Sequence, residues 1–349
     1  MQDFYIIKVL FFSVLSFIFA IALTPLLTHY LYKYKLGKQI RNSGETPIFT
    51  QLHAHKAGTP TMGGILIWGT VLVFIIFFSV IGRILPWNVL IHLNFFSRSE
   101  TLLPLAALII SAVIGLVDDW LDVRGLGVKG GGGLKLKHRL IIYTLMAVVG
   151  AWWFYDKLNW TIFHVPFFGN FEIGLWYIPI FIFIIVATSF SVNETDGLDG
   201  LAGGTLLFAF SAYSVIAFAL GRYELATFCG VIIGALSAFL WFNIPPARFY
   251  LGDTGAMSLG VTLGIIAMLT NSSLLLGVIG IVFVIESASV IVQLWSKKFR
   301  GKKVFLSAPI HNHLQASGWS EAKIVMRFWV VSAIGTILGL VIFLLDRRF

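Results

Sequence analysis

Apolar runs of about twenty residues recur along almost the whole of this chain, and no other sequence feature constrains its fold as tightly. They fall at roughly 4–32, 62–83, 101–121, 138–155, 173–192, 200–220, 223–242, 254–270, 273–296 and 324–345. Each is long enough to carry a helix across the hydrocarbon of a bilayer. A spanning helix also satisfies its own backbone hydrogen bonds where water cannot reach. Charged residues make up only 12% of the 349, about half the share of a soluble domain. A soluble fold would have too few charges to clothe its surface. The expected fold is an all-α, polytopic membrane protein of about ten transmembrane helices, one domain over 1–349.

The net charge of +9 is spread unevenly. With the runs taken as spans, the loops on one side hold Lys33, Lys35, Lys38, Arg41, Lys56, Arg124, Lys129, Lys135, Lys137, Arg139, Arg248, the Lys297 to Lys303 run, Lys323 and Arg327. The other side holds only Lys8, Arg83, Arg98, Lys157, Arg222, Arg347 and Arg348. The positive-inside rule makes the first side cytoplasmic. Both termini are then expected outside, with cytoplasmic loops at about 33–61, 122–138, 193–199, 243–253 and 297–323. The segment Met1 to Leu10 contains Asp3 and leads into an apolar run with no small-residue cleavage site, so the first run reads as a retained helix. Cys229, the single cysteine, excludes an internal disulfide. No internal repeat of the kind many transporters carry is visible.

Three acidic clusters stand at the edges of apolar runs, all on the basic side: Asp118-Asp119, Asn193 to Gly200 and Gly252-Asp253-Thr254-Gly255. Carboxylates beside hydrocarbon are costly, so acids there point to function. Asp118 and Asp119 could bind Mg²⁺ directly or through water, act as a base, or be a solvated helix end near Arg124. Asp196 and Asp199, with Gly197 and Gly200 interleaved, could line a ligand that approaches the backbone closely or cap the next helix. Asp253 has the same two readings. Taken together, the clusters favour one acidic site, and magnesium, which takes oxygen ligands and substrate phosphates, suits it.

His311 and His313 follow Pro309 in the last polar loop. They could be metal ligands, phosphate donors or a proton carrier; the nearby acids suit a hard ion better than zinc. The 297–303 run reads as topology signal and lipid contact, whereas Lys56 and Arg139, close to other motif residues, lean towards substrate. Nucleic acid is a poor partner, because the basic residues are tethered to a membrane without a recognisable binding module. These parts describe magnesium-dependent phosphate chemistry at the cytoplasmic face of a membrane, on a lipid phosphate.

Five motifs carry a resemblance. In order they are Gly58-Thr59-Pro60-Thr61-Met62-Gly63-Gly64, the Asp118-Asp119 pair, Asn193-x-Thr195-Asp196-Gly197-Leu198-Asp199-Gly200, Phe249-x-Leu251-Gly252-Asp253-Thr254-Gly255 and Pro309-Ile310-His311-x-His313. Over residues 50–330 the chain resembles the polyprenyl-phosphate N-acetylhexosamine-1-phosphate transferases. Within them it is most similar to the branch that handles phospho-N-acetylmuramoyl-pentapeptide. The resemblance implies transfer of that group from its UDP-linked donor to undecaprenyl phosphate, giving lipid I and UMP for peptidoglycan, in a multi-pass protein of the bacterial cytoplasmic membrane. It implies Asp253 and Asp196 as Mg²⁺ ligands. Asp118 and Asp119 would serve the lipid phosphate, with a base among them, and His311 and His313 complete the catalytic set. Substrate would be bound by Lys56, Thr61, Arg139, Asn193, Asp196, Gly197, Leu198, Asp199, Asn243, Tyr250 and Asn312. Membrane lipids are further partners, and the resemblance admits a homodimer.

Four residues depart from the pattern. Asn312 replaces the middle histidine of a usual trio, Asp122 and Glu194 add acids, and Arg139 stands in place of Lys. The rival readings are a sister transferase using UDP-N-acetylglucosamine or another UDP-sugar, and an ion-coupled transporter. The transporter reading predicts acids near the bilayer midplane, and these sit at helix ends.

Overall fold

The computed structural model describes residues 2–37, 58–84, 92–126 and 133–347. Its helices are α1 (Gln2–Lys33), α2 (Gly64–Ile84), α3 (Leu102–Val123), α4 (Leu136–Trp152), α5 (Tyr177–Thr195), α6 (Leu201–Ala219) and α7 (Tyr223–Asn243). They continue with α8 (Gly252–Leu269), α9 (Leu276–Ile279), α10 (Ile281–Arg300), α11 (Ile310–Ala316) and α12 (Glu321–Asp346). Between α4 and α5 lies an antiparallel hairpin of β1 (Ile162–Val165) and β2 (Gly169–Glu172), in the register Ile162 to Glu172.

Among the described residues, eight helices are long and apolar enough to cross a membrane. A ninth candidate joins the turn at Ser273 and α9 to α10. The count differs from the sequence expectation at two places. The run 138–155 forms α4, but only 17 residues are α-helical and the first turns carry Lys137 and Arg139; a five-residue π-helix, Trp153–Lys157, extends it. The run 273–296 is not straight. It bends by 84° at Gly280, where the backbone leaves helical geometry with ψ near 32°.

At the centre stands α8, whose residues from Thr254 to Leu269 are all buried. Helices α3 and α5 flank it, with α2 and α6 also in contact. Without a hydrophobic drive between helices in lipid, small residues let backbones approach closely. Gly115 of α3 shows this: a Cβ there would come within 2.6 Å of Thr254 Cα. The outer helices α1 and α12 turn Ile7, Leu10, Val14, Val330, Ile334 and Ile337 outwards, an apolar exterior suited to lipid.

The chain's polar turns gather at one end of the bundle. There Glu321, at the start of α12, accepts a hydrogen bond from Asp199 N at 2.7 Å. Asn243 Oδ1, at the end of α7, accepts from Gly200 N at 2.9 Å. The far end of α12 is fastened to the hairpin: Asp346 Oδ2 lies 2.6 Å from His164 Nε2, and its Oδ1 accepts from Phe167 N at 2.6 Å.

Candidate active site

A single guanidinium ties three helices at the polar end. Arg139, in the first turn of α4, places Nη2 2.7 Å from Asp253 Oδ2 and Nη1 2.9 Å from Asn193 Oδ1. Its Nε lies 2.8 Å from Asp118 Oδ2. The second oxygen of Asp253 accepts from Asn193 Nδ2 at 2.6 Å. Asp118 is fully buried and also accepts from Leu134 N at 2.5 Å. The side chain of Asp253 keeps 15% of its surface open. Two carboxylates, one cation and one amide therefore converge where α3, α4, α5 and α8 meet. A buried carboxylate needs such partners, because an unpaired one is costly. The knot supplies them without closing Asp253 off.

Asp119 does different work from its neighbour. About 100° further round α3, it accepts from Asp253 N with Oδ1 and Thr254 N with Oδ2, each at 3.0 Å. It thus caps the first turn of α8 from another helix, serving N–H groups that have no partner within α8. A negative charge is favoured at that end of the helix dipole. The hydroxyl of Thr61 donates to the same carboxylate at 3.1 Å. Gly252 makes this possible. Its φ is +73°, and a Cβ would meet Asp119 Oδ2 and Thr61 Oγ1, both at 2.6 Å.

Other expected site residues act as braces around the knot. Asp199 accepts from Ala247 N at 3.0 Å and does not cap α6, whose Gly200 cap has no side-chain bond. Asn243 donates to Phe249 O at 2.9 Å, joining the Gly200 turn to the Phe249 loop. Tyr250 N donates to Pro60 O, and burial pushes its phenol above the usual range. Leu198 is buried with Leu201, Ile324 and Val325. Asp196 ends α5 as its cap residue. Lys56 lies outside the described residues.

The two histidines are parted. They sit on the short helix α11, not in an extended loop, and two residues along a helix turn about 200°. His311 is buried, with Nδ1 2.9 Å from Glu286 Oε2 on α10. Its Nε2 lies against Gly197, where a Cβ would stand 2.2 Å from that nitrogen. His313 instead accepts from Leu306 N at 3.2 Å and packs its ring on Phe305. Asn312, between them, is buried. Glu286 was missed in the sequence although a signal existed: a lone carboxylate inside an apolar run.

Among the described residues, no three His, Cys, Asp or Glu side chains are grouped to hold a metal ion. Magnesium does not require such a cage, since it is commonly held by one or two carboxylates together with waters and substrate phosphates. Asp253, a hard oxygen donor still open on one side and beside a second carboxylate, fits that demand.

A polytopic helix bundle that gathers acids and a cation at one end has the form of a membrane-embedded site. The pattern of glycosyl transferase family 4 matches residues 101–271. Signature 1 of the phospho-N-acetylmuramoyl-pentapeptide-transferases matches residues 56–67. A protein of that name from Chloroflexus aggregans is 38% identical over 346 residues, covering 95% of this chain and 89% of the relative. Its counterpart from Chloroflexus aurantiacus is 40% identical over 321 residues, 88% and 82% of the two chains. One from a Geobacillus species is 38% identical over 332 residues, 94% and 96%. The chain belongs to the phospho-N-acetylmuramoyl-pentapeptide-transferase family.

Proposed function

We propose that this protein transfers phospho-N-acetylmuramoyl-pentapeptide from its UDP-linked donor to undecaprenyl phosphate, forming lipid I and UMP in peptidoglycan synthesis. An oxygen of the lipid phosphate forms a bond to the sugar-bearing phosphorus of the donor. The bond from that phosphorus to the bridging oxygen breaks, and the electron pair leaves with UMP. The observation that carries the reading is Asp253, open on one side and held by Arg139 and Asn193 at the N-terminus of α8.

Asp253 would hold Mg²⁺ together with substrate phosphates, and Asp196 is the further ligand the family resemblance suggests. The ion, when bound, supplies positive charge against the charge that builds on the transferring group. Arg139 and Asn193 fix the Asp253 carboxylate. Asp119 fixes the backbone that carries it. The buried Asp118 holds Arg139 in place and reaches the Leu134 backbone, so it orients the knot from behind.

The basic loops favour the cytoplasmic side for this end of the bundle, in a bacterial cytoplasmic membrane, with both termini on the opposite side. A homodimer is compatible with the apolar outer helices. The decisive assay supplies purified protein with the muramoyl-pentapeptide donor and Mg²⁺, with or without undecaprenyl phosphate. UMP release only when both substrates are present is the expected result. Turnover of UDP-N-acetylglucosamine in place of the muramoyl donor would instead establish the sister activity.

A further inference from the structure

Glu286 is the one carboxylate within the 281–296 stretch of α10 and is fully buried. Its Oε2 stands 2.9 Å from His311 Nδ1, and that imidazole is itself only 1% exposed. The opposite ring nitrogen, His311 Nε2, is buried and has no hydrogen-bond partner. It faces the backbone of Gly197, one residue beyond the cap of α5. A hydroxyl pair, Ser287 to Ser191 at 2.7 Å, locks α10 to α5 beside this point. The imidazole thus spans two places: one nitrogen is engaged by a carboxylate, and the other is directed at the turn that follows Asn193.

Two ionisable groups removed from both water and lipid are costly to keep unless each serves the other. A histidine's second nitrogen is set by the bond its first one makes. A carboxylate on Nδ1 holds the proton there. It fixes the ring plane and leaves Nε2, the ring nitrogen that faces the Gly197 turn, as a hydrogen-bond acceptor. A buried polar atom is normally given a partner, and here Nε2, like Glu286 Oε1 on the other side of the pair, is left without one.

We propose that Glu286 is a positioning residue for this transferase: it orients His311 so that Nε2 accepts a hydrogen bond from a hydroxyl or N–H group of the bound donor at the Gly197 turn. This inference rests on the transferase reading above. Gly197 is part of the arrangement, because a Cβ there would stand 2.2 Å from Nε2, so only glycine lets the imidazole sit this close to the turn.

A double-mutant cycle separates this role from packing. Glu286→Leu keeps the volume and apolar surroundings but removes the carboxylate, and kcat should fall on the order of 100-fold with donor KM little changed. Glu286→Gln, which retains an acceptor oxygen, should recover part of that loss. In a His311→Ala background, Glu286→Leu should cost nothing further. Losses that multiply across the two positions, or a fully active Glu286→Leu protein, would overturn the proposal. If Glu286→Leu fails to fold, the cycle is run with Glu286→Gln. A readout independent of turnover is the ¹⁵N spectrum of histidine-labelled protein in detergent, with the His311 signals identified by their loss in His311→Ala. A protonated Nδ1 that shifts on Glu286→Gln supports the pairing, and an unchanged Nδ1 signal refutes it. Should the wild-type protein release no UMP, the transferase reading fails, while the spectrum still decides the pairing.

Discussion

Asp119 Oδ1 accepts the backbone N–H of Asp253 at 3.0 Å, so one acid of an adjacent pair holds the main chain of the acid that faces the site. Its neighbour Asp118 meets Arg139 instead. Adjacent residues in one helix thus reach the same site from two sides, one through the backbone of α8 and one through the cation of α4. Asp119→Ala should lower stability by about 1–3 kcal/mol, the cost of leaving buried N–H groups without an acceptor. Asp119→Asn, which keeps an acceptor oxygen but loses the charge at the helix N-terminus, should cost about 1 kcal/mol. Thermal unfolding in detergent measures both, and equal effects would argue against the capping role.

Arg139 makes three polar contacts from one fork, to Asp118, Asn193 and Asp253. Arg139→Ala leaves a fully buried carboxylate without its cation and should destabilise by about 3–5 kcal/mol. Arg139→Lys keeps the charge but cannot reproduce the planar fork, so it should fall between wild type and Arg139→Ala in stability. A lysine variant as unstable as the alanine variant would show that geometry rather than charge carries the tie.

Chelation should stop UMP release, and added Mg²⁺ should restore it. Asp253→Ala should remain folded and lose the Mg²⁺-dependent reaction. Asp119 keeps its hold on the backbone at residue 253 in that variant, so the α8 terminus survives loss of the side chain. Persistent activity in Asp253→Ala would reduce Asp253 to a helix-terminal residue.

Topology is open to chemical labelling. Single cysteines introduced at Ser317, beside α11, and at Phe168, in the hairpin turn, in a Cys229→Ser background should react from opposite sides of the membrane. The Ser317→Cys variant is expected to label only when reagent reaches the cytoplasmic face. Labelling of both from one side would contradict the topology read from the charges.

Much of this arrangement can be read from the sequence, and the reasons are local. Apolar length fixes the spans because a helix in lipid has no alternative backbone partner. Acids beside such spans stand out by their cost, which exposes Asp118, Asp119 and Asp253. Their division of labour stays hidden, because it depends on which helix each faces. Asp199 has the spacing of a cap, yet its carboxylate goes to Ala247 across the bundle. His311 and His313 appear as one motif, while the turn of α11 sends them to different neighbours. Glu286 stands out inside its apolar run in the same way, but its partner cannot be read there, because only the approach of α11 brings His311 to it. The bend at Gly280 is likewise invisible to hydropathy, because both of its limbs are apolar.

The enclosure of α8 has a consequence for motion. Nearly every side chain of that helix is packed on all sides, and close-packed interiors do not deform gradually. Asp253 therefore rides on the most enclosed of the membrane-spanning helices among the described residues. Any adjustment to a water-borne nucleotide and a lipid-borne acceptor therefore falls outside α8. The reacting groups travel, and the anchor to which they come stays still.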